Sequence, residues 1–205
     1  MVLSHVIVKV DDLDQAVKEW TDKGYVVEYG KKKKPYNALI YFKEGPYIEL
    51  FKCCGIPTFA KKIIKVIGNK NFIHRMNFWD QHEPGIIGIE IENEYDDLKL
   101  EAQCLRKYGE KFFYMKSHRM DTKGRELRFH CIFPDNMKIP AMMSRFSISP
   151  KPTTDNHPNG VKGISSIKMG TGEKEMAIIQ ELCQDERLQL YIGEGFKNLK
   201  MIDSL

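Results

Sequence analysis

The stretch Val2–Gly24, VLSHVIVKVDDLDQAVKEWTDKG, decides the fold because its hydrophobic period changes partway along. Val2, Val6, Val8 and Val10 lie on one face of an extended run that Ser4, His5, Ile7 and Lys9 complete, which reads as a strand. From Leu13 onward the apolar positions are Leu13, Ala16, Val17 and Trp20, spaced i, i+3, i+4, i+7, which is one face of a helix. Asp11 and Asp12 offer N-caps, and Gly24 suits the left-handed residue that ends a helix. Strand-like runs follow at Tyr25–Tyr29, Asn37–Phe42 and Tyr47–Phe51, with turns at Gly30–Tyr36 and Lys43–Pro46. The order is β-α-β-β-β.

The same order recurs downstream. Ile86–Glu92 places Ile87, Ile89 and Ile91 on one strand face. Asp96 or Asp97 can cap a helix bearing Leu98, Ala102, Leu105 and Tyr108, and Gly109 closes it. Leu13 to Gly24 and Leu98 to Gly109 span equal lengths, as an internal duplication would produce. Strands are expected at Phe112–Ser117, Glu126–Phe133 and Ala141–Ile148, with a turn at Asp121–Gly124. The modules therefore occupy 1–55 and 85–148. The connector at 56–84 has helical character over Phe59–Ile67, which Gly68-Asn69 breaks, and then an aromatic stretch from Phe72 to Trp79 with His74 and His82 nearby. Residues 149–162, rich in Pro, Thr and Asn, form a linker loop. Residues 163–205 read as a truncated βαββ segment, with elements at Gly163–Met169, Glu173–Gln184, Leu188–Ile192 and Phe196–Ile202. Such a fragment cannot close its own sheet, so it is expected to pack on the main domain.

The 205 residues, 42% hydrophobic and 11% aromatic, suffice for one sizeable domain or two small modules sharing a core. A net charge of +4 suits an anionic metabolite and falls short of the clustered excess of a nucleic-acid binder. Lys31–Lys34 reads as a solvated hairpin tip, with a substrate-attracting lid as the other reading. The five cysteines show neither a C-x-x-C pair nor a disulfide framework, which suits a reducing cytoplasm. No signal peptide and no apolar run long enough to span a bilayer are present, so no membrane partner is expected. Gly170-Thr171-Gly172 lacks the flanking spacing of a phosphate loop, so no nucleotide cofactor is expected.

Ser4–Ala16, Asn37–Phe42, Tyr47–Phe51, Gly124-Arg125-Glu126-Leu127 within Asp121–Pro134, and His157-Pro158-Asn159-Gly160 together resemble glyoxalase-like domains of the vicinal-oxygen-chelate superfamily. The resemblance implies an α+β fold in which paired βαβββ modules form a curved, cup-like mixed sheet around a small-molecule pocket. It also implies a divalent metal ion, with one ligand from the first strand of each module and one from the fourth. In the first module those positions hold His5 and Glu49, and Glu49 could alternatively move a proton. Strand alternation agrees: if Val6, Val8 and Val10 pack on the helix, His5 turns to the concave side, as do Tyr47, Glu49 and Phe51 when Ile48 and Leu50 pack inward.

The second module departs from the pattern. Its first strand has no histidine. Helix spacing aligns Glu90 with His5, whereas the strand start aligns a Gly or Ile there. Its fourth strand, Ala141–Phe146, has no carboxylate. Two readings follow: a metal site of His5 and Glu49 with Glu90 or His130 as a third ligand, or a hydrogen-bonded polar pair lining an organic-ligand pocket. Asn37, Glu90, Arg128, His130 and Arg145 are the substrate-binding candidates, with Arg128 or Arg145 gripping an anionic group. Glu126, Arg128, His130 and Ile132 form one face of a strand that either meets solvent or lines the cup. The expected activity is a lyase, isomerase or dioxygenase reaction on an oxygenated metabolite. The alternative is a non-catalytic binding protein whose Met142, Met143 and Phe146 adapt to varied ligands. A homodimer closed by the C-terminal segment is also expected.

Overall fold

The computed structural model describes residues 1–203. The first module comprises β1 (Val2–Lys9), α1 (Leu13–Asp22), β2 (Glu28–Tyr29), β3 (Asn37–Ile40) and β4 (Tyr47–Phe51). Asp12 caps α1 by accepting the Gln15 N–H at 2.9 Å. Gly24 takes the left-handed conformation with φ 81°, so the chain can leave the helix without Cβ strain. The second module repeats the order with β5 (Gly85–Glu92), α4 (Lys99–Lys107), β6 (Phe112–Met120), β7 (Glu126–Pro134) and β8 (Ala141–Met143).

All eight of these strands join one sheet in the order β2-β3-β4-β1-β5-β8-β7-β6. Each module pairs its first strand in parallel with its fourth, and the two first strands meet antiparallel at the centre. The expected α+β architecture of paired βαβββ modules is the one the chain adopts. One sheet face packs Val6, Ile48, Leu50, Ile89, Ile91, Ile132 and Met142 against Leu13 and Ala16 of α1 and Ala102 and Leu105 of α4. Each large apolar side chain withdrawn from water on this face contributes about 1.5–3 kcal/mol.

The other face is concave, and the connector partly fills it. Where the sequence suggests one helical stretch, the chain forms two helices, α2 (Thr58–Val66) and α3 (Lys70–Gln81). α3 buries Phe72, Ile73, Met76 and Trp79 against Ile7, Phe51, Ile87, Phe133 and Met143. That stripe has helical spacing, but polar residues interrupt it, including Arg75, which is itself buried. Arg75 gives Nη2 to the carbonyls of Pro134 and Asn136 at 2.8 and 2.9 Å.

Three local differences from the sequence reading have plain causes. α4 has no side-chain cap at its N-cap residue; Asp97 instead accepts the Lys99 N–H at 3.2 Å. β8 stops at Met143, after which Ser144 and Ser147 hold the chain beside β7 through bonds to the His130 and Arg128 carbonyls. β2 is only two residues long, because Val26 N–H is drawn to His157 Nδ1 at 2.9 Å.

The C-terminal segment consists of β9 (Gly163–Thr171), α5 (Glu173–Leu182), β10 (Leu188–Ile192) and β11 (Phe196–Ile202). Here β9 pairs in parallel with the strand directly after its helix, and β11 lies antiparallel on its other side, unlike the strand order within a module. Ile164, Ile167, Ile178 and Ile179 belong to the same core as β1 and α4. The start of the chain is fastened to this segment: the Met1 ammonium donates to Leu182 O at 2.9 Å, and Leu3 N–H donates to Asp185 Oδ2 at 3.0 Å.

Candidate active site

Three titratable side chains meet at the centre of the concave face. β1 alternation turns His5 into the cup, and Tyr47, its register partner on β4, stacks on the imidazole with centroids 4.5 Å apart and an interplanar angle of 18°. Two residues further along β4, Glu49 brings Oε2 to 3.3 Å from His5 Nε2. Across the antiparallel centre, Glu90 is the register partner of His5 and places Oε2 4.0 Å from the same nitrogen. His5 Nδ1 is 3.1 Å from Ser4 Oγ. On β3, Asn37 donates Nδ2–H to Glu49 Oε1 at 2.7 Å. The Asn37 side chain fits only because residue 30 is glycine: a Cβ there would collide with Asn37 Oδ1.

Burial and mutual charge push these groups apart. Burial opposes protonation of His5, but the Glu49 hydrogen bond and the nearby carboxylates outweigh it and raise the imidazole above its ordinary value. Burial would raise Glu49, yet His5, Asn37 and Arg119 bring it below the ordinary carboxylate value. Glu90 rises because burial, aided by the Glu49 and Glu92 charges, outweighs the lowering pull of His5 and Arg75. Two neighbouring carboxyl groups whose proton affinities are moved in opposite directions are the kind of pair that acid–base chemistry uses.

The cup around them has a volume of about 200 Å³, with Tyr36, Met115, Phe129, Phe133, Met143 and Phe146 among its walls. Arg119, unremarked in the sequence reading, is its cation. It donates to Gly30 O at 3.0 Å and to the Tyr41 hydroxyl at 2.5 Å. The row Met115, Ser117, Arg119 on one face of β6 carries the signal for it. A larger cleft of about 530 Å³ opens between α3, β5 and the C-terminal segment, but it lacks the imidazole–carboxylate cluster.

His5, Glu49, Asn37 and Glu90 are thus brought together. Arg128, His130 and Arg145 lie elsewhere, and of the two faces open to the Arg128 and His130 row the structure gives it the one outside the cup. Phe129, Cys131 and Phe133 occupy the concave face of β7, so Arg128 and His130 share the opposite face with Ile132. Arg128 pairs with Glu126 at 2.7 Å, His130 Nδ1 lies 2.6 Å from the Tyr114 hydroxyl, and Arg145 pairs with Asp96 at 2.8 Å. These residues line a separate open groove with Lys116 and His118. The Cys131 thiol, pushed well up by burial, offers no nucleophile to the cup.

For a divalent metal the cup provides His5, Glu49 and Glu90. In β8, the position equivalent to Glu49 is Met143: Glu49 opposes Ile7 on β1, and Met143 opposes Glu92, the counterpart of Ile7, on β5. A thioether does not serve a hard, oxygen-seeking ion. Among the described residues no three His, Cys, Asp or Glu side chains are arranged to hold a metal. The donor set is incomplete for a resident ion.

A family model described as a glyoxalase-like domain matches residues 3–182. The chain belongs to this glyoxalase-like family. Among solved structures, a hypothetical protein from Staphylococcus aureus is similar at 15% identity and TM-score 0.64, over 95% of this chain and 87% of that one. A Streptomyces coelicolor methylmalonyl-CoA epimerase, solved with 2-nitronate-propionyl-CoA, is similar at 14% identity and TM-score 0.44, over 70% and 95% of the two chains. A glyoxalase I from Zea mays is similar at 13% identity and TM-score 0.39, over 89% and 56%. At these identities the likeness concerns the fold. No curated protein sequence matches the chain. Among the described residues of this glyoxalase-like protein, no helix is long and apolar enough to cross a membrane.

Proposed function

We propose that this glyoxalase-like protein is a small-molecule enzyme that moves a proton on an oxygenated substrate, in isomerase or lyase chemistry carried out in the cup. The observation that supports this reading is the cluster of buried His5 and Glu90 with half-buried Glu49, the two carboxylates driven in opposite directions. Glu90, raised toward the working pH, exchanges the proton at a carbon next to a carbonyl. Glu49, held ionised by Asn37 and His5, fixes the imidazolium, whose charge stabilises the oxyanion that develops on the substrate. Arg119 at the wall favours a substrate that also carries an anionic group.

The test is solvent exchange. Dihydroxyacetone, 2-oxobutyrate and acetoacetate are incubated with the protein in D2O, and deuterium entry beside the carbonyl is followed by NMR. Exchange with at least one probe is expected, falling by about 100-fold or more in Glu90→Gln, the range of a lost general base. Equal exchange in the wild type and Glu90→Gln would sink the assignment. Probes that bind with no exchange at all would favour the second reading, a sequestering protein; the Met143 thioether and aromatic walls around the cluster support that reading.

A further inference from the structure

α2 carries its strongest apolar face outward. Phe59, Ile63, Val66 and Ile67 follow the spacing i, i+4, i+7, i+8 and are 69%, 58%, 86% and 67% exposed. No residue of the helix is buried. It is held from one side, where Ile64 packs against the concave core and Lys61 binds Asp80 at 2.6 Å and Asn77 at 2.9 Å. Isolated exposed apolar residues are ordinary, but four on one helical face form a surface that a partner covers.

Charge identifies the partner. From Lys52 to Trp79 the sequence contains six Lys and Arg and no Asp or Glu. The remaining 26 basic residues face all 28 acidic ones, so the positive excess of the chain resides in this segment. Lys61 and Arg75 are engaged internally, whereas Lys52, Lys62, Lys65 and Lys70 are exposed. A second copy docking isologously through α2 would set Lys62 and Lys65 against themselves, which like-charge repulsion opposes. An apolar strip edged by lysines with no compensating acid fits an anionic lipid headgroup layer.

We propose that α2 is an interfacial helix with which the protein rests on an anionic phospholipid surface. Phe59, Ile63, Val66 and Ile67 enter the boundary between headgroups and acyl chains, while Lys62, Lys65 and Lys70 meet the lipid phosphates and carboxylates. The helix is nine residues long, so it lies in the surface plane and does not span the bilayer. The contact is reversible and salt-sensitive, and it adds a location to the enzyme without altering the cup.

The full-length chain is sedimented with vesicles of phosphatidylcholine, with and without phosphatidylserine. Partition into the phosphatidylserine vesicles is expected, weakening as salt is raised. Ile63→Glu with Val66→Glu, and separately Lys62→Glu with Lys65→Glu, should each reduce it by about tenfold or more. All four positions are exposed, so thermal denaturation should show the variants as stable as the parent. Three results overturn the proposal: no partition into either vesicle, partition that both double variants retain, or a dimer in sedimentation equilibrium that Ile63→Glu with Val66→Glu dissociates while no vesicle binding occurs.

Discussion

Replacing Met143 with glutamate puts the degenerate half of the cup to a quantitative test. Met143 is 2% exposed, faces the cup and occupies the position of Glu49 in the duplicated module. A new carboxylate there joins Glu49 and Glu90, on which the His5 and Arg119 cations of the cup already act. An uncompensated buried charge costs about 3–5 kcal/mol. For a chain of this size, each kcal/mol is about 2–4 °C of Tm, so the variant in chelator should melt roughly 6–20 °C below the parent. The same substitution completes a set of one imidazole and three carboxylates. A cation present at about 100 times its Kd returns about 2.7 kcal/mol, roughly 5–11 °C. The assay is differential scanning fluorimetry of both proteins in EDTA and in excess Mn2+. A recovery confined to the variant is expected. If Mn2+ stabilises the parent as strongly, the three natural donors already suffice and the incomplete-site argument fails. If the variant in EDTA melts with the parent, Met143 does not share the carboxylates' buried space.

Stability should also follow the cluster's protons. His5 is raised, so its contribution is fully present below the unfolded imidazole value of about 6.5 and is lost as pH climbs through the folded value. Glu49 is lowered, so its contribution is present above the unfolded carboxylate value and is lost as pH falls through the folded one. A Tm profile against pH should therefore decline on the alkaline side, and Glu49→Gln should remove the part due to His5; an unchanged profile in Glu49→Gln would refute the pairing. Ile48→Ala, at a fully buried position on the helix side of β4, should lose about 2–5 kcal/mol in urea denaturation, and a loss under about 1 kcal/mol would contradict the packing described. A chain ended after Lys162 strips Ile164, Ile167, Ile178 and Ile179 from the shared core. Circular dichroism should show it without a cooperative melt, whereas a sharp transition would mark the C-terminal segment as dispensable.

Much of the fold was legible because its signals are local. The change of period at Leu13 and its repeat at Leu98 declared two strand–helix units, and alternation along β1 and β4 was enough to turn His5 and Glu49 to one side. α3 was harder to read, since a buried arginine interrupts its apolar stripe and its partners lie far off in β5 and β7. Glu90 was ambiguous for a different reason. The β1–β5 register contains two irregularities, and each can change which residues oppose one another.

The sequence by itself determined the two strand–helix units, their duplication and the alternation of side chains within each strand, because period and capping act over a few residues. Only the tertiary structure decided which face of β7 lines the cup. Alternation defines two faces without saying which is concave, and the burial of Cys131 and Phe133 in the core that α3 joins settles it, sending Arg128 and His130 outward. The meeting of His5 with Glu49 and Glu90 was decided at the same level. The opposite directions in which Glu49 and Glu90 are shifted come from cross-strand distance and shared burial, quantities that exist only once the two modules have closed on each other.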